Sequence, residues 1–270
     1  VDGKLQYGID GKPMMGRINY TVWSDVFICP NCGNEIVYWE AAIDKEAADI
    51  SDVLRCKDCG VKAKKKDCNR SLSMFFDKKL NKEVSIAKQV PVQINYFYNG
   101  NRYEKVPDKK DLEVIARIDE MPIPYWHPVD ELPIGYNTEQ PKRSHGVTHV
   151  HYFYTKRTQY LLATLYANIE QSPIKSALLT LITGIVNRNA YKCNRFVINK
   201  YNPNGRINGP KSGTLYIPSL VVEQNICELL RYKISYLKNI FCSKNQTSII
   251  TTQSSTELPQ IASSSCDYIF

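Results

Sequence analysis

The chain alternates between stretches that pattern as strands and stretches that pattern as helices. Asn19 to Phe27 (NYTVWSDVF) is rich in aromatic and β-branched residues and predicts a strand. Glu35 to Ala42 (EIVYWEAA) predicts a second strand, and the polar stretch from Asp44 to Asp52 a loop. Lys62 to Lys66 marks a solvated, exposed stretch. Residues 82–98 read as short strands, Val90 to Tyr98 most clearly, closed by a turn at Asn99-Gly100-Asn101. Asp108 precedes a helical pattern with Leu112, Ile115 and Ile118 on one face. Met121 to Pro133 holds four prolines and predicts an extended connector. Thr148 to Tyr154 reads as a strand or as an aromatic-rich approach to the next helix.

The second half is mainly helical in pattern. Leu161, Leu162, Leu165, Tyr166 and Ile169 form one stripe. Ser172-Pro173 has the form of a cap followed by a first helical residue, ahead of a buried face at Ile174, Leu178, Leu181, Ile182 and Ile185. Residues 199–218 are rich in Gly, Pro and Asn and read as a loop. From Ser219 to about Phe241 the pattern predicts a long amphipathic helix with Val222, Ile226, Leu229, Leu230 and Leu237 inward. Thr247 to Thr252 and Asp267 to Phe270 read as two buried strands.

Two turns carry recognisable chemistry. Cys29-Pro30-Asn31-Cys32-Gly33 and Cys56-Lys57-Asp58-Cys59-Gly60 are C-x-x-C-G knuckles separated by 23 residues. Each curls two thiolates toward one point, and the glycine after it relieves the backbone where φ must become positive. Two facing knuckles make a closed tetrahedron for zinc, with no position left for a substrate. The site is therefore expected to be structural, with Cys29, Cys32, Cys56 and Cys59 as ligands. The competing reading is four free or disulfide-linked cysteines. The spacing of Cys68 fits neither knuckle.

Composition places the chain among globular proteins, with 43% hydrophobic and 23% charged residues. Nine cysteines in 270 residues are too few and too uneven for a secreted disulfide scaffold and favour a reducing, cytoplasmic compartment. The longest uncharged apolar stretch, Ser176 to Asn187, is short of the ~20 residues a membrane helix needs, so no membrane partner is expected. The first residue is Val1 and the last three are Tyr268-Ile269-Phe270, which reads as a piece of something longer.

Net charge is +8, and its placement is uneven. Between Gln171 and Asn245 stand eleven Lys or Arg against Glu223 and Glu228 alone. A concentrated basic segment suits a polyanion such as nucleic acid. Arg188, Lys192, Arg195, Lys200, Arg206 and Lys211 are the candidate DNA-phosphate contacts, with Tyr191 and Tyr201 interleaved as candidate stacking residues. The competing reading is a merely solvated face. His149 and His151, two apart, are candidate metal ligands without an evident acidic or cysteine partner, and packing against Tyr152 to Tyr154 is the rival role.

Several longer strings resemble one family. YTVWSDVFICPNCG from Tyr20 to Gly33 and EIVYWE from Glu35 to Glu40 look like the zinc-ribbon insertion of adenine-specific DNA methylases. The likeness continues through AKQVP (Ala87 to Pro91), IPYW (Ile123 to Trp126), THVHYFYTKR (Thr148 to Arg157) and SGTLYIPS (Ser212 to Ser219). It ends in TTQSS (Thr251 to Ser255) and DYIF (Asp267 to Phe270). In that family the last strand is similar to the one that leads into the catalytic Asp-Pro-Pro-Phe motif, while the glycine motif for S-adenosylmethionine lies upstream of the ribbon. Neither motif is in this sequence, and Asn202-Pro203-Asn204-Gly205 is no substitute, lacking the second proline and the aromatic.

The resemblance implies part of an enzyme that transfers a methyl group from S-adenosylmethionine to adenine in DNA, with this chain supplying a zinc ribbon and DNA contacts. It assigns no catalytic residue here, so the chain by itself is expected to be inactive. It places Gln253 and Ser254 near the adenosine of the methyl donor. The implied fold is mixed α/β. A zinc ribbon occupies 1–70, an irregular αβ insertion 71–150, a basic helical segment 151–245, and the first strands of a methyltransferase-type sheet 246–270. The rival reading is a non-enzymatic zinc-ribbon nucleic-acid-binding protein.

Overall fold

A computed structural model of the chain describes residues 7, 11, 14–44 and 47–241, with side chains as far as Tyr236. The chain divides into two units, residues 1–233 and 234–270, of which the second is described only along the end of one helix.

The elements begin with β1 (Arg17–Ile28), β2 (Glu35–Val37), α1 (Tyr38–Ala42), β3 (Ile43–Asp44), β4 (Asp49–Ile50), β5 (Val53–Arg55) and β6 (Lys62–Lys64). They continue with β7 (Leu72–Asp77), β8 (Lys82–Ala87), β9 (Gln89–Tyr98), β10 (Asn101–Lys105), α2 (Lys109–Glu120) and α3 (Tyr136–His145). A 3-10 turn at Val150–Phe153 leads to α4 (Lys156–Glu170) and α5 (Lys175–Val186). The first unit closes with β11 (Arg195–Asn199), β12 (Asn202–Asn208), β13 (Leu220–Gln224) and the start of α6 (Ile226–Phe241).

A mixed α/β fold is built on one sheet of order β10-β9-β1-β13-β11-β12, with β2 paired to the end of β1. All its described pairings are antiparallel. β1 is central because its residues alternate between two buried faces. Tyr20 and Val22 face one core with Val92, Phe196, Leu220 and Val222, and Phe27, Ile36, Tyr38, Leu54 and Cys56 complete it. Trp23 faces the other, with Val84, Tyr152, Phe153, Cys193 and Val221. The cysteine knuckles thus cover one side of the sheet, while the β7–β8 hairpin and the 3-10 turn cover the other. A third cluster joins α4, the end of α5 and the start of α6 through Leu161, Leu165, Ile185, Ile226 and Leu229. Pro91, which has no N–H for the ladder, stands opposite Trp23 where the β1–β9 register slips.

Two strands expected from sequence, over 19–27 and 90–98, are β1 and β9 and pair with each other, while the other neighbour of β1 is β13. Several local expectations are corrected. The strand expected over 35–42 is three residues of β2 and then a helical turn, α1. Of the two readings of Thr148 to Tyr154, the structure has the approach to the next helix, a 3-10 turn that leads to α4. Ser172 does not cap α5. The helix starts at Lys175, and the Ser172 hydroxyl accepts only the Ile174 N–H. Ser219 opens a strand, β13, and the helix follows from Ile226. Within the expected loop 199–218, the 7 residues Asn202–Asn208 form the edge strand β12. α3 was not foreseen. Asn99-Gly100 is a turn as expected, both residues at positive φ, and Asp108 caps α2 through a reciprocal bond with Asp111. The strands expected at 247–252 and 267–270, with Gln253, Ser254 and the side chain of Leu237, lie outside the described residues.

Candidate metal centre

β1 ends at Ile28, and the chain turns at once through the first knuckle. The Cys29 N–H donates to the Asn34 carbonyl (2.8 Å) and the Gly33 N–H to the Cys29 carbonyl (3.0 Å). The second knuckle repeats the pattern: the Cys56 N–H donates to Val61 (3.0 Å) and the Gly60 N–H to Cys56 (3.0 Å). Gly33 and Gly60 stand at φ 76° and 74°. A Cβ at either would meet nothing within 4 Å, so the turn demands glycine for its backbone angle and not for space. The Asn34 side-chain amide donates to Asp58 (2.9 Å) and ties one knuckle to the other.

The four sulfurs converge. Cys29 Sγ lies 3.6 Å from Cys59 Sγ, Cys32 Sγ lies 3.7 Å from Cys56 Sγ, and all four are within 4.8 Å of one another. Zinc–sulfur bonds of about 2.3 Å in a tetrahedron place sulfurs roughly 3.8 Å apart, so the spacing fits zinc and leaves no free position. Cys29 and Cys56 are buried, Cys32 and Cys59 exposed. Without an ion the tetrad cannot carry four negative charges. The Val61 backbone N–H and then the Asn31 side chain pull the Cys59 thiol down to about 6. At Cys32 the Asn34 N–H also favours thiolate, but desolvation and the other three sulfurs push it up to about 12. A dication resolves that conflict by holding every sulfur as thiolate. Cys68 is not a fifth ligand: its thiol turns to the Lys64 carbonyl (3.6 Å).

The basic candidates divide into an outward and an inward group. Arg195 and Arg206 share one face of the β11–β12 hairpin, through the pairs Arg195↔Asn208 and Val197↔Arg206. Lys200 and Tyr201 form its turn, the ammonium 5.1 Å from the ring centre, and Tyr201 is 79% exposed. Arg188 is exposed just after α5, and Lys211 is exposed with its ammonium over Tyr216. Lys192 faces inward, its pKa lowered by burial even though Glu223, Asp119 and Asp25 lie near it. Tyr191 is a core residue packed on Phe153. Sequence reasoning missed Arg102, which lines with Arg206 a cleft of about 370 Å³ that also includes Tyr20, Gln224, Asn225 and Tyr232.

Three buried carboxylates organise the opposite side of the sheet. Asp25 accepts from Arg70 (2.9 Å), Gln89 (3.0 Å) and His145 (3.3 Å). Burial opposes its charge, but these partners hold it at about 2. Glu223 accepts from Arg157, Thr155 and Trp23, which outweigh burial and keep it below the usual range. Asp77 is likewise lowered against burial, by Tyr152 and His151. The available signal in sequence was a lone charge inside each apolar run, such as Glu223 after Leu220-Val221-Val222.

No helix of the described residues is long and apolar enough to cross a membrane. No protein-family model, curated protein or solved structure matches the chain.

Proposed function

We propose that this chain is the DNA-holding segment of an adenine-specific DNA methyltransferase, with a catalytic core outside the described residues moving the methyl group of S-adenosylmethionine. The family strings quoted above support the enzyme class. The observation that carries the DNA contact is the placing of Arg195 and Arg206 on one face of a hairpin whose turn presents Lys200 and the exposed Tyr201. Guanidinium groups on one face neutralise successive phosphates and release counterions, and an exposed ring offers a surface on which an unpaired base stacks. The four-cysteine centre is closed, so its part is to hold β1 and α1 in place.

A second reading, a non-enzymatic zinc-ribbon nucleic-acid-binding protein, draws on the sheet itself. Doubly wound sheets that bind nucleotide cofactors are parallel, and the described pairings here are antiparallel. Both readings share the DNA face. Replacing Arg188, Arg195 and Arg206 together with Gln should weaken binding to all duplexes alike and flatten its salt dependence. Parent-like binding across a salt titration would remove the hairpin from the DNA interface. Labelled S-adenosylmethionine bound by the full-length protein separates the first reading from the second.

A further inference from the structure

Three of the four histidines of the chain gather on the side of the sheet away from the cysteines. His149 and His151 flank and enter the 3-10 turn, and His127 sits on the proline-rich connector. Backbone bonds from Leu132 to Thr148 (2.8 Å) and from Val150 to Asp130 (3.0 Å) pin that connector beside the turn. The ring centres of His149 and His127 then stand 5.8 Å and 6.4 Å from that of His151.

Each ring has one nitrogen engaged by an oxygen. His127 Nδ1 meets the Tyr125 carbonyl (3.2 Å), His149 Nδ1 the Thr148 hydroxyl (2.8 Å) and His151 Nε2 the Asp77 carboxylate (2.8 Å). Asp77 is saturated, accepting in addition from Tyr152 and from the Lys79 and Leu80 N–H groups. A carboxylate only accepts, so the proton on His151 is at Nε2 and Nδ1 carries a bare lone pair. That nitrogen is buried and has no hydrogen-bond partner, a cost that a packed interior rarely carries without a use. An imidazole whose far N–H is held by a carboxylate is the arrangement in which histidine binds metals.

We propose that His127, His149 and His151 form a second metal site, separate from the cysteines, that takes one late first-row divalent ion such as Zn2+, Co2+ or Ni2+. Imidazole nitrogen suits these ions, and three protein ligands leave a fourth position for water. Asp77 is the positioning residue. Two imidazoles on one tetrahedral ion stand roughly 5 Å apart centre to centre, for bonds of about 2.0–2.1 Å. Among the described residues only the cysteines have all ligand atoms within 4.8 Å, so the proposal requires the three imidazoles to turn toward one another when the ion binds. The inference is independent of the DNA reading.

The test is cobalt(II) titration of the full chain carrying one zinc per chain, so that only the cysteines are filled, followed by calorimetry and absorption. The expected result is one cobalt per chain beyond the zinc, with the comparatively intense visible d–d bands of a four-coordinate ion and no thiolate charge-transfer band. His149→Gln and His127→Gln should each weaken uptake at least about 10-fold, and Asp77→Asn by about 10–100-fold. His127→Gln lies on the half-buried connector and leaves the core intact, which circular dichroism verifies. No cobalt beyond the zinc, uptake unchanged in both histidine variants, or a charge-transfer band showing cobalt exchanged into the cysteines would each overturn the proposal.

Discussion

Arg157 grips Glu223 with two parallel bonds, Nε to Oε1 at 2.9 Å and a terminal nitrogen to Oε2 at 2.7 Å, across 66 residues of chain. The fork fastens the first turn of α4 to β13 near its end, where Trp23 of β1 also donates to Glu223 (2.8 Å). Thr155, which caps α4, gives the same carboxylate its hydroxyl proton (2.6 Å). One buried charge therefore fixes the seating of a helix on a sheet.

Removing either partner should be costly, because it strands the other charge away from water. Arg157→Met is expected to lower the unfolding free energy by about 3–5 kcal/mol. Chemical denaturation of the variant beside the parent measures it, and a loss under about 1 kcal/mol would show that water reaches Glu223. Arg157→Met combined with Glu223→Met should recover part of the loss, since no unpaired charge is then left.

The cysteine centre predicts about one zinc per chain in purified protein by elemental analysis. Cys56→Ser removes a buried ligand and should release the ion and unfold the ribbon around it. Protein free of metal yet fully folded over residues 20–70 would contradict the assignment.

Acid sensitivity should have a histidine component. Burial holds His145 below its ordinary pKa, and Asp25 beside it offsets this only in part. The unfolded imidazole then takes a proton at pH values where the folded one stays neutral. Its contribution to stability is complete above about pH 6.5 and declines as pH falls below that. Stability of the parent should drop faster between about pH 7 and pH 5 than that of His145→Gln, by up to about 1.4 kcal/mol per pH unit. Parallel curves would mean that His145 titrates alike in both states.

How much was legible in the sequence follows from how local each cause is. The knuckles were readable because four sulfurs and two glycines at fixed offsets admit few geometries, and β1 because its residue types suit a strand buried on both faces. β13 was hidden because Leu220-Val221-Val222 runs straight into the helix pattern of α6, and a short apolar run does not declare its period. β12 was hidden because Pro203 and Gly205 are loop residues that an edge strand also tolerates. Gly205 has a further reason to be there: the ring of Phe196 lies over it, and a Cβ would meet that ring at 2.2 Å. Such a fit depends on a residue nine positions away. The carboxylate networks were unreadable for the same reason, their long-range partners lying 45 to 200 residues apart.

The first knuckle begins at the residue after β1, and β1 is the middle strand of the sheet. Metal occupancy and the integrity of the sheet are therefore joined along one continuous backbone with no hinge between them. A cut after residue 70 would take the centre of the sheet away with the ribbon and leave β9 and β13 without their shared neighbour. Ribbon and sheet are one piece, so removing the cysteines would leave the end of the middle strand without its staple.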